Sequence, residues 1–164
     1  MTREDYIRKF SNAVLNSVRG TTIFPSVKMA QAIIESSDQG GNAGESKLAS
    51  FFNNHFGIKA NGLWKGKKAF MKTREVDNGQ NVIIEDTFRV YTNPESSFHD
   101  HTLFLTKNRN YTEAGVFNAM TPEAQADALQ RGRYATDPRY AYTIKKIIER
   151  HNLKALDQLS KKND

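Results

Sequence analysis

The apolar positions of this chain follow a helical period over most of its length, lose that period once, and then regain it. Residues 2 to 19 read as a first helix: Thr2 can cap it, Tyr6, Phe10, Ala13, Val14, Ser17 and Val18 keep one face mostly apolar, and Gly20 stops it. The stretch Phe24 to Glu35, FPSVKMAQAIIE, differs in kind. Pro25 and Ser26 mark its start, because a proline in the first turn surrenders an amide that had no intrahelical partner. Val27, Met29, Ala30, Ala32, Ile33 and Ile34 then point in nearly every direction around the axis, which predicts a central helix packed on most sides.

Residues 36 to 46, SSDQGGNAGES, form a loop directly after Glu35, placed to shape a groove, with glycines at 40, 41 and 44 that make it a candidate mover. Ser46 begins a short helix, KLASFFNN, whose Leu48, Phe51 and Phe52 are expected to face the core. From Gly62 to Tyr91 the helical period disappears, and Asn78-Gly79 joins two extended runs. Asn-Gly between β-rich runs predicts a hairpin, because a type I′ turn needs positive φ at both central residues. Helices return behind three cap-and-proline pairs. Asn93-Pro94 starts one carrying Phe98, Leu103, Phe104 and Leu105; Thr121-Pro122 starts one ending at Gly132; Asp137-Pro138 starts one carrying Tyr140, Ile144, Ile147 and Ile148. The closing SKKND reads as a frayed polar tail. The fold class is α+β, a mostly helical body with a small antiparallel β-hairpin lobe at about residues 62–91, in a single domain spanning 1–164.

Composition narrows the chemistry. A chain of 164 residues can bury about 70% of its unfolded surface, so it needs no covalent or metal staple. The absence of cysteine excludes thiol catalysis and cysteine-built zinc sites. A net charge of +6 favours a polyanionic partner. Nucleic acid is not expected, since Lys and Arg are spread among acidic neighbours and no helix shows a concentrated basic face. No apolar run approaches the ~20 residues of a membrane span, so no membrane insertion is expected. His99 and His101, two apart on a helix, face different ways, and His55 and His151 are isolated; no metal and no other cofactor is predicted.

Glu35 closes the buried helix, and two readings of it stay open. Burial raises the pKa of a carboxylic acid toward the working range of a general acid; alternatively the side chain leaves the last turn for solvent or a lysine. An acid on a helix facing carboxylates of a β lobe suits glycoside hydrolysis, in which the leaving oxygen needs a proton and the sugar's developing positive charge needs a carboxylate, a base-activated water or a neighbouring group of the substrate. The lobe offers Glu75, Asp77, Glu85 and Asp86, with Glu75 two residues before the turn. Trp64 and Tyr91 could stack on a sugar or fill the lobe's core. Asn53 and Asn54 could bond the groove backbone or an N-acetyl group, or cap their helix.

Six segments carry a family resemblance: AQAIIES, LASFFNNHFGIKA, WKGK, KTREVDNG, FRVY and ADALQRGRYATDPRYAYTI, in that order. Together they resemble the bacterial glucosaminidase domains of glycoside hydrolase family 73, which cut the glycan strand of peptidoglycan. The resemblance implies a lysozyme-like fold with the hairpin lobe flanking a substrate groove. It implies a peptidoglycan endo-β-N-acetylglucosaminidase cleaving the β-1,4 bond between N-acetylglucosamine and N-acetylmuramic acid, with Glu35 as general acid, Glu75 as second catalytic carboxylate and Tyr134 near the reacting sugar. A muramidase or lytic transglycosylase on the same polymer, or a silent wall-binding domain, are the alternative readings. The sequence departs from the family after the acid, where Ser36 to Gly40 open a longer loop without the usual tryptophan. The expected partner is peptidoglycan, engaged by a monomer at the cell wall or in the periplasm. The N-terminal MTREDYIRKF lacks the apolar core of a secretory leader, which predicts a trimmed form or release of the phage type.

Overall fold

The protein was analysed as a computed structural model that describes residues 1–163, the side chains of Glu75, Lys162 and Asn163 excepted. The FPS start and the all-round apolar sequence give α2 (Pro25–Ser36), in which Met29, Ala30, Ala32 and Ile33 have no exposed surface. Around it pack α1 (Arg3–Val18), α6 (Pro122–Arg131), α7 (Tyr140–Arg150) and α8 (Lys154–Asn163). Against α1 also packs α4 (Pro94–Lys107), whose buried stripe includes Phe98, His101, Thr102 and Leu105. Thr2, Asn93 and Thr121 cap α1, α4 and α6 with their side-chain oxygens, as their spacing predicts.

Buried so completely, α2 must satisfy its polar groups inside the protein. Its own N-cap, Phe24, brings no side-chain acceptor. Asp157 of α8 supplies it from 131 residues away: the Ser26 amide donates to Oδ1 at 2.8 Å and the Ser26 hydroxyl to Oδ2 at 2.7 Å. Lys28, fully buried, donates through Nζ to Phe98 O at 2.7 Å and to Thr102 Oγ1 at 2.8 Å, while Thr102 donates to Ser17 O at 2.9 Å. One amine thereby ties α2, α4 and α1 together.

The lost helical period corresponds to β1 (Lys68–Asp77) and β2 (Gln80–Arg89), an antiparallel pair in register from Lys68↔Arg89 to Asp77↔Gln80. Asn78 and Gly79 turn it with φ of +50° and +77°, the type I′ signature. Its root is tied to the body: Arg89 N donates to Ile58 O at 3.1 Å, Ala60 N to Thr87 O at 2.9 Å, and Arg89 and Tyr91 both reach Asp100 of α4. Toward the tip, Val76 and Ile83 are exposed, as is Phe70 nearer the root.

Three expectations change, the first at Asp137-Pro138, which do not cap α7: the helix begins at Tyr140 behind Arg139, and Asp137 Oδ1 accepts from Arg139 N at 2.8 Å in the turn before it. The short helix α3 (Lys47–Phe52) buries Ala49, whereas Phe51 is 74% exposed and Leu48 and Phe52 are half-buried. A single turn of helix approaches the body most closely through its smallest residue. Asn53, in the left-handed region at φ 56°, then turns the chain so that Asn54, His55 and Phe56 go inward instead. Of the SKKND tail, Ser160 to Asn163 are helical instead of frayed, because α8 runs to Asn163 and is held by buried Leu153, Leu156 and Asp157, while Asp164 lies outside the described residues. A short helix α5 (Arg109–Glu113) and a 3-10 turn at Val116–Asn118 also went without a sequence signal.

Replacing Asp157 with alanine should cost about 2 kcal/mol of unfolding free energy, the sum expected for a lost helix cap and a stranded buried hydroxyl. Urea unfolding of Asp157→Ala beside Asp157→Asn, which keeps one acceptor, would measure it; two curves superimposed on the wild type would mean the cap is worth nothing.

Candidate active site

The helix end that carries Glu35 opens into a cleft of about 360 Å³ lined by Glu35, Phe56, Gly57, Ile58, Lys59, Asn61, Phe104, Tyr111 and Tyr134. One wall is the inward turn 56–61, which the left-handed Asn53 makes possible. Glu35 itself is half-buried, open to the cleft on one side and enclosed on the others. Burial disfavours the carboxylate and pushes Glu35 up to about 7, while a hydrogen bond from the Tyr140 hydroxyl stabilises the charged form and opposes the rise. The reading of Glu35 as a lysine-paired surface glutamate therefore does not describe this fold. No lysine or arginine forms an ion pair with it among the described residues.

Tyr140 and Tyr134 stack 5.4 Å apart with their planes 19° from parallel, and Tyr111 lies 5.9 Å from Tyr134. Both stacked phenols are held well above the ordinary tyrosine range by burial first, with the negative charge of Glu35 adding to it. They stay protonated and can only give hydrogen bonds or accept them as neutral groups. Tyr134 Oη is 2.9 Å from Nε2 of buried His101, and the His101 ring stacks on Phe56 at 3.9 Å. Burial, then the positive charge of Lys28, keep His101 neutral by moving its pKa well down.

Of the residues read from sequence, Glu35 and Tyr134 meet in one cleft. The backbone of Glu75 lies in β1 opposite Val82, and its side chain is outside the described residues. Asn54 is fully buried beneath the cleft, with Nδ2 donating to Ile58 O and Arg89 O at 3.0 Å each and Oδ1 accepting from Ile58 N at 3.1 Å. A direct sugar contact does not fit that burial; Asn54 instead shapes the 54–58 turn. Tyr91 is 7% exposed and gives its hydroxyl to Asp100 Oδ2 at 2.5 Å, so it too is structural, locking the hairpin root to α4. Trp64 is half-buried at that root, its Nε1 bonded to Lys67 O at 2.9 Å, the Arg89 guanidinium 4.9 Å over its ring and Gly66 so close that a Cβ would stand 2.6 Å from the indole. Neither ring lines the cleft. The glycine-rich loop does not line it either: Asp38 and Asn42 close it on itself, and Gly44 N donates to Ser36 Oγ at 3.0 Å.

Tyr140, Tyr111 and His101 had no chemical reading in the sequence. A signal was present for one face: Lys28, Gln31 and Glu35, spaced three and four apart in an otherwise apolar helix, form a polar stripe. Among the described residues no group of three or more His, Asp or Glu could hold a metal ion, and no helix is long and apolar enough to cross a membrane.

A helical body, a hairpin lobe and a buried acid at a helix end in an aromatic cleft define a lysozyme-like glycoside hydrolase domain. The glucosaminidase family, described as mannosyl-glycoprotein endo-beta-N-acetylglucosaminidase, matches residues 11–153, and the chain belongs to it. Its fold is similar to that of the catalytic domain of the autolysin Auto from Listeria monocytogenes, at TM-score 0.80 and 30% identity over 94% of this chain and 87% of that one. The glycoside hydrolase domain of Salmonella typhimurium FlgJ is also similar, at TM-score 0.68 and 28% identity over 99% and 95%. In sequence, exo-glucosaminidase LytG of Bacillus subtilis is 36% identical over 141 residues, 84% of this chain and 48% of LytG. A probable N-acetylmuramidase of Lactococcus lactis is 39% identical over 145 residues, 84% of this chain and 31% of that protein. The chain thus spans a third to a half of the length of these two relatives.

The pKa of Glu35 makes a stability prediction. In the unfolded chain this carboxyl ionises near 4.5 and in the fold near 7. Between those values the folded protein keeps a proton that the unfolded chain has released, so its contribution to stability falls as pH rises through 7. Glu35→Gln escapes the loss. The variant should gain about 2 kcal/mol relative to wild type on going from pH 5 to pH 8. Denaturant unfolding at both values checks this, and an equal difference at the two would rule out the raised pKa.

Proposed function

We propose that this domain hydrolyses the β-1,4 bond between N-acetylglucosamine and N-acetylmuramic acid in the glycan strands of peptidoglycan, acting as an endo-glucosaminidase at the bacterial cell wall. The observation that carries the reading is Glu35, a carboxyl that burial keeps protonated up to a pH of about 7 and that faces an open cleft. In this proposal Glu35 gives its proton to the leaving glycosidic oxygen as the C–O bond breaks, and Tyr140 stabilises the carboxylate that remains. Glu75, carried on the hairpin, is the second carboxylate, acting as base on water or yielding that step to the substrate's acetamido group. Tyr134 contacts the reacting sugar. The net charge of +6 holds the monomer near the carboxylates and phosphates of the wall.

The Lactococcus relatives' name supports a second reading in which the bond on the other side, after N-acetylmuramic acid, is cut. Digestion of purified peptidoglycan, borohydride reduction and mass spectrometry of the new ends distinguish the two. Reduced N-acetylglucosamine ends are expected from the wild type and none from Glu35→Gln; reduced muramic acid ends would establish a muramidase, and anhydro-muramic ends a transglycosylase. Fragments several disaccharides long are expected from endo cleavage, single units from exo cleavage as in LytG's name.

Because the acid must be protonated to act, turnover should fall about tenfold per pH unit above 7. A rate profile flat to pH 9 would remove Glu35 from the role.

A further inference from the structure

His101 does not touch the cleft, yet the structure assigns it a part in the chemistry. We propose that His101 is a positioning residue that fixes Tyr134 as a hydrogen-bond donor into the cleft, an inference that rests on the glycosidase reading above. The ring is fully buried. Nε2 stands 2.9 Å from Tyr134 Oη, and Nδ1 has no partner among the described residues.

A neutral imidazole carries one N–H, so two arrangements exist. If the proton sat on Nδ1, a buried N–H would go without an acceptor, and Tyr134 would have to spend its single proton on Nε2, turned away from the cleft. If the proton sits on Nε2, it is given to the tyrosine oxygen, and the orphan is a lone pair on Nδ1. Orphaned buried N–H groups are rarer in proteins than under-used acceptors, which selects the second arrangement. The Tyr134 oxygen is then occupied as an acceptor, and its O–H is directed to the cleft beside Glu35, where an oxygen of the bound sugar receives it.

The neighbouring tyrosine repeats the pattern independently. Gln31 Nε2 donates to Tyr140 Oη at 3.1 Å, Gln31 Oε1 is the atom without a partner among the described residues, and Tyr140 gives its own proton to Glu35. In both pairs a buried donor fills the phenol oxygen from behind and the orphan is an acceptor. The arrangement has a structural reason: His101 comes from α4 and Gln31 from α2, so each phenol is gripped by an element other than its own.

Two measurements test this, and only the second depends on the protein being a glycosidase. Nitrogen-15 NMR of histidine-labelled wild type at neutral pH should show His101 with its proton on Nε2; a proton on Nδ1 overturns the proposal whatever the activity. On peptidoglycan, His101→Phe, which keeps the ring stack on Phe56 and removes the donor, should lower kcat about tenfold with KM little changed. In a Tyr134→Phe background the same substitution should cost nothing more, because the group it acts through is gone. His101→Gln, which can place an N–H near the Nε2 position, should recover most of the rate. Equal losses from His101→Phe in both backgrounds would make its role one of packing alone and sink the idea. A wild type that releases no sugar ends would fail the glycosidase reading and leave the NMR result to stand or fall separately.

Discussion

A helix enclosed on nearly every side must find partners inside the protein for most of the polar groups it carries, and α2 imposes that condition on the rest of this chain. Ser26 takes Asp157, Lys28 takes Phe98 O and Thr102, Gln31 takes Tyr140, and Glu35 shares the same tyrosine. Each partner comes from a different part of the sequence, so the polar positions of α2 fix where α8, α4 and α7 lie as firmly as its apolar ones do. The raised pKa of Glu35 follows from the same condition. Its carboxyl has Tyr140 as a hydrogen-bond partner, and the uncompensated remainder of its burial appears as proton affinity.

The hairpin is built to a different standard. Its strands pair with each other over ten positions, and among the described residues its hydrogen bonds to the body lie at the root, where Lys59, Ile58, Ala60 and Asp100 hold β2. Val76 and Ile83 near its tip are in water. A two-stranded ribbon of this kind draws little stability from its own surface and depends on that root. Trp64 and Tyr91 serve the attachment, which explains why the two most conspicuous aromatics of the lobe are packed and bonded away from the cleft.

The elements that were legible in the sequence are those whose signals are local. Type I′ geometry needs Asn78-Gly79, caps need an oxygen three residues before their amide, and a helix packed on all sides needs apolar residues all round; each could be read within a dozen residues. Glu35 was legible as the end of such a helix, and Tyr134 through its family block. What was not legible is long-range. Asp157 looks like any exposed helical aspartate until Ser26 arrives beside it, and the polar end of α8 from Ser160 onward looks like a tail for the same reason. His101 reads as one of two useless histidines and Tyr140 as a core ring, because the roles of both are set by which phenol or carboxyl the other helices bring to them. Asn54 and Tyr91 were misplaced by the same gap: their polar ends are used up by backbone and by Asp100.

The cap on α2 also sets an order of events during synthesis. Ser26 is made early and Asp157 is made 131 residues later, so a chain emerging N-terminus first completes its central helix only when nearly all of the domain has left the ribosome. Until then the first turn of α2 lacks its acceptor and the helix lacks the neighbour that covers that end. A fragment that stops short of Asp157 therefore keeps an open first turn in its central helix, and the body closes only when the last of the described helices docks.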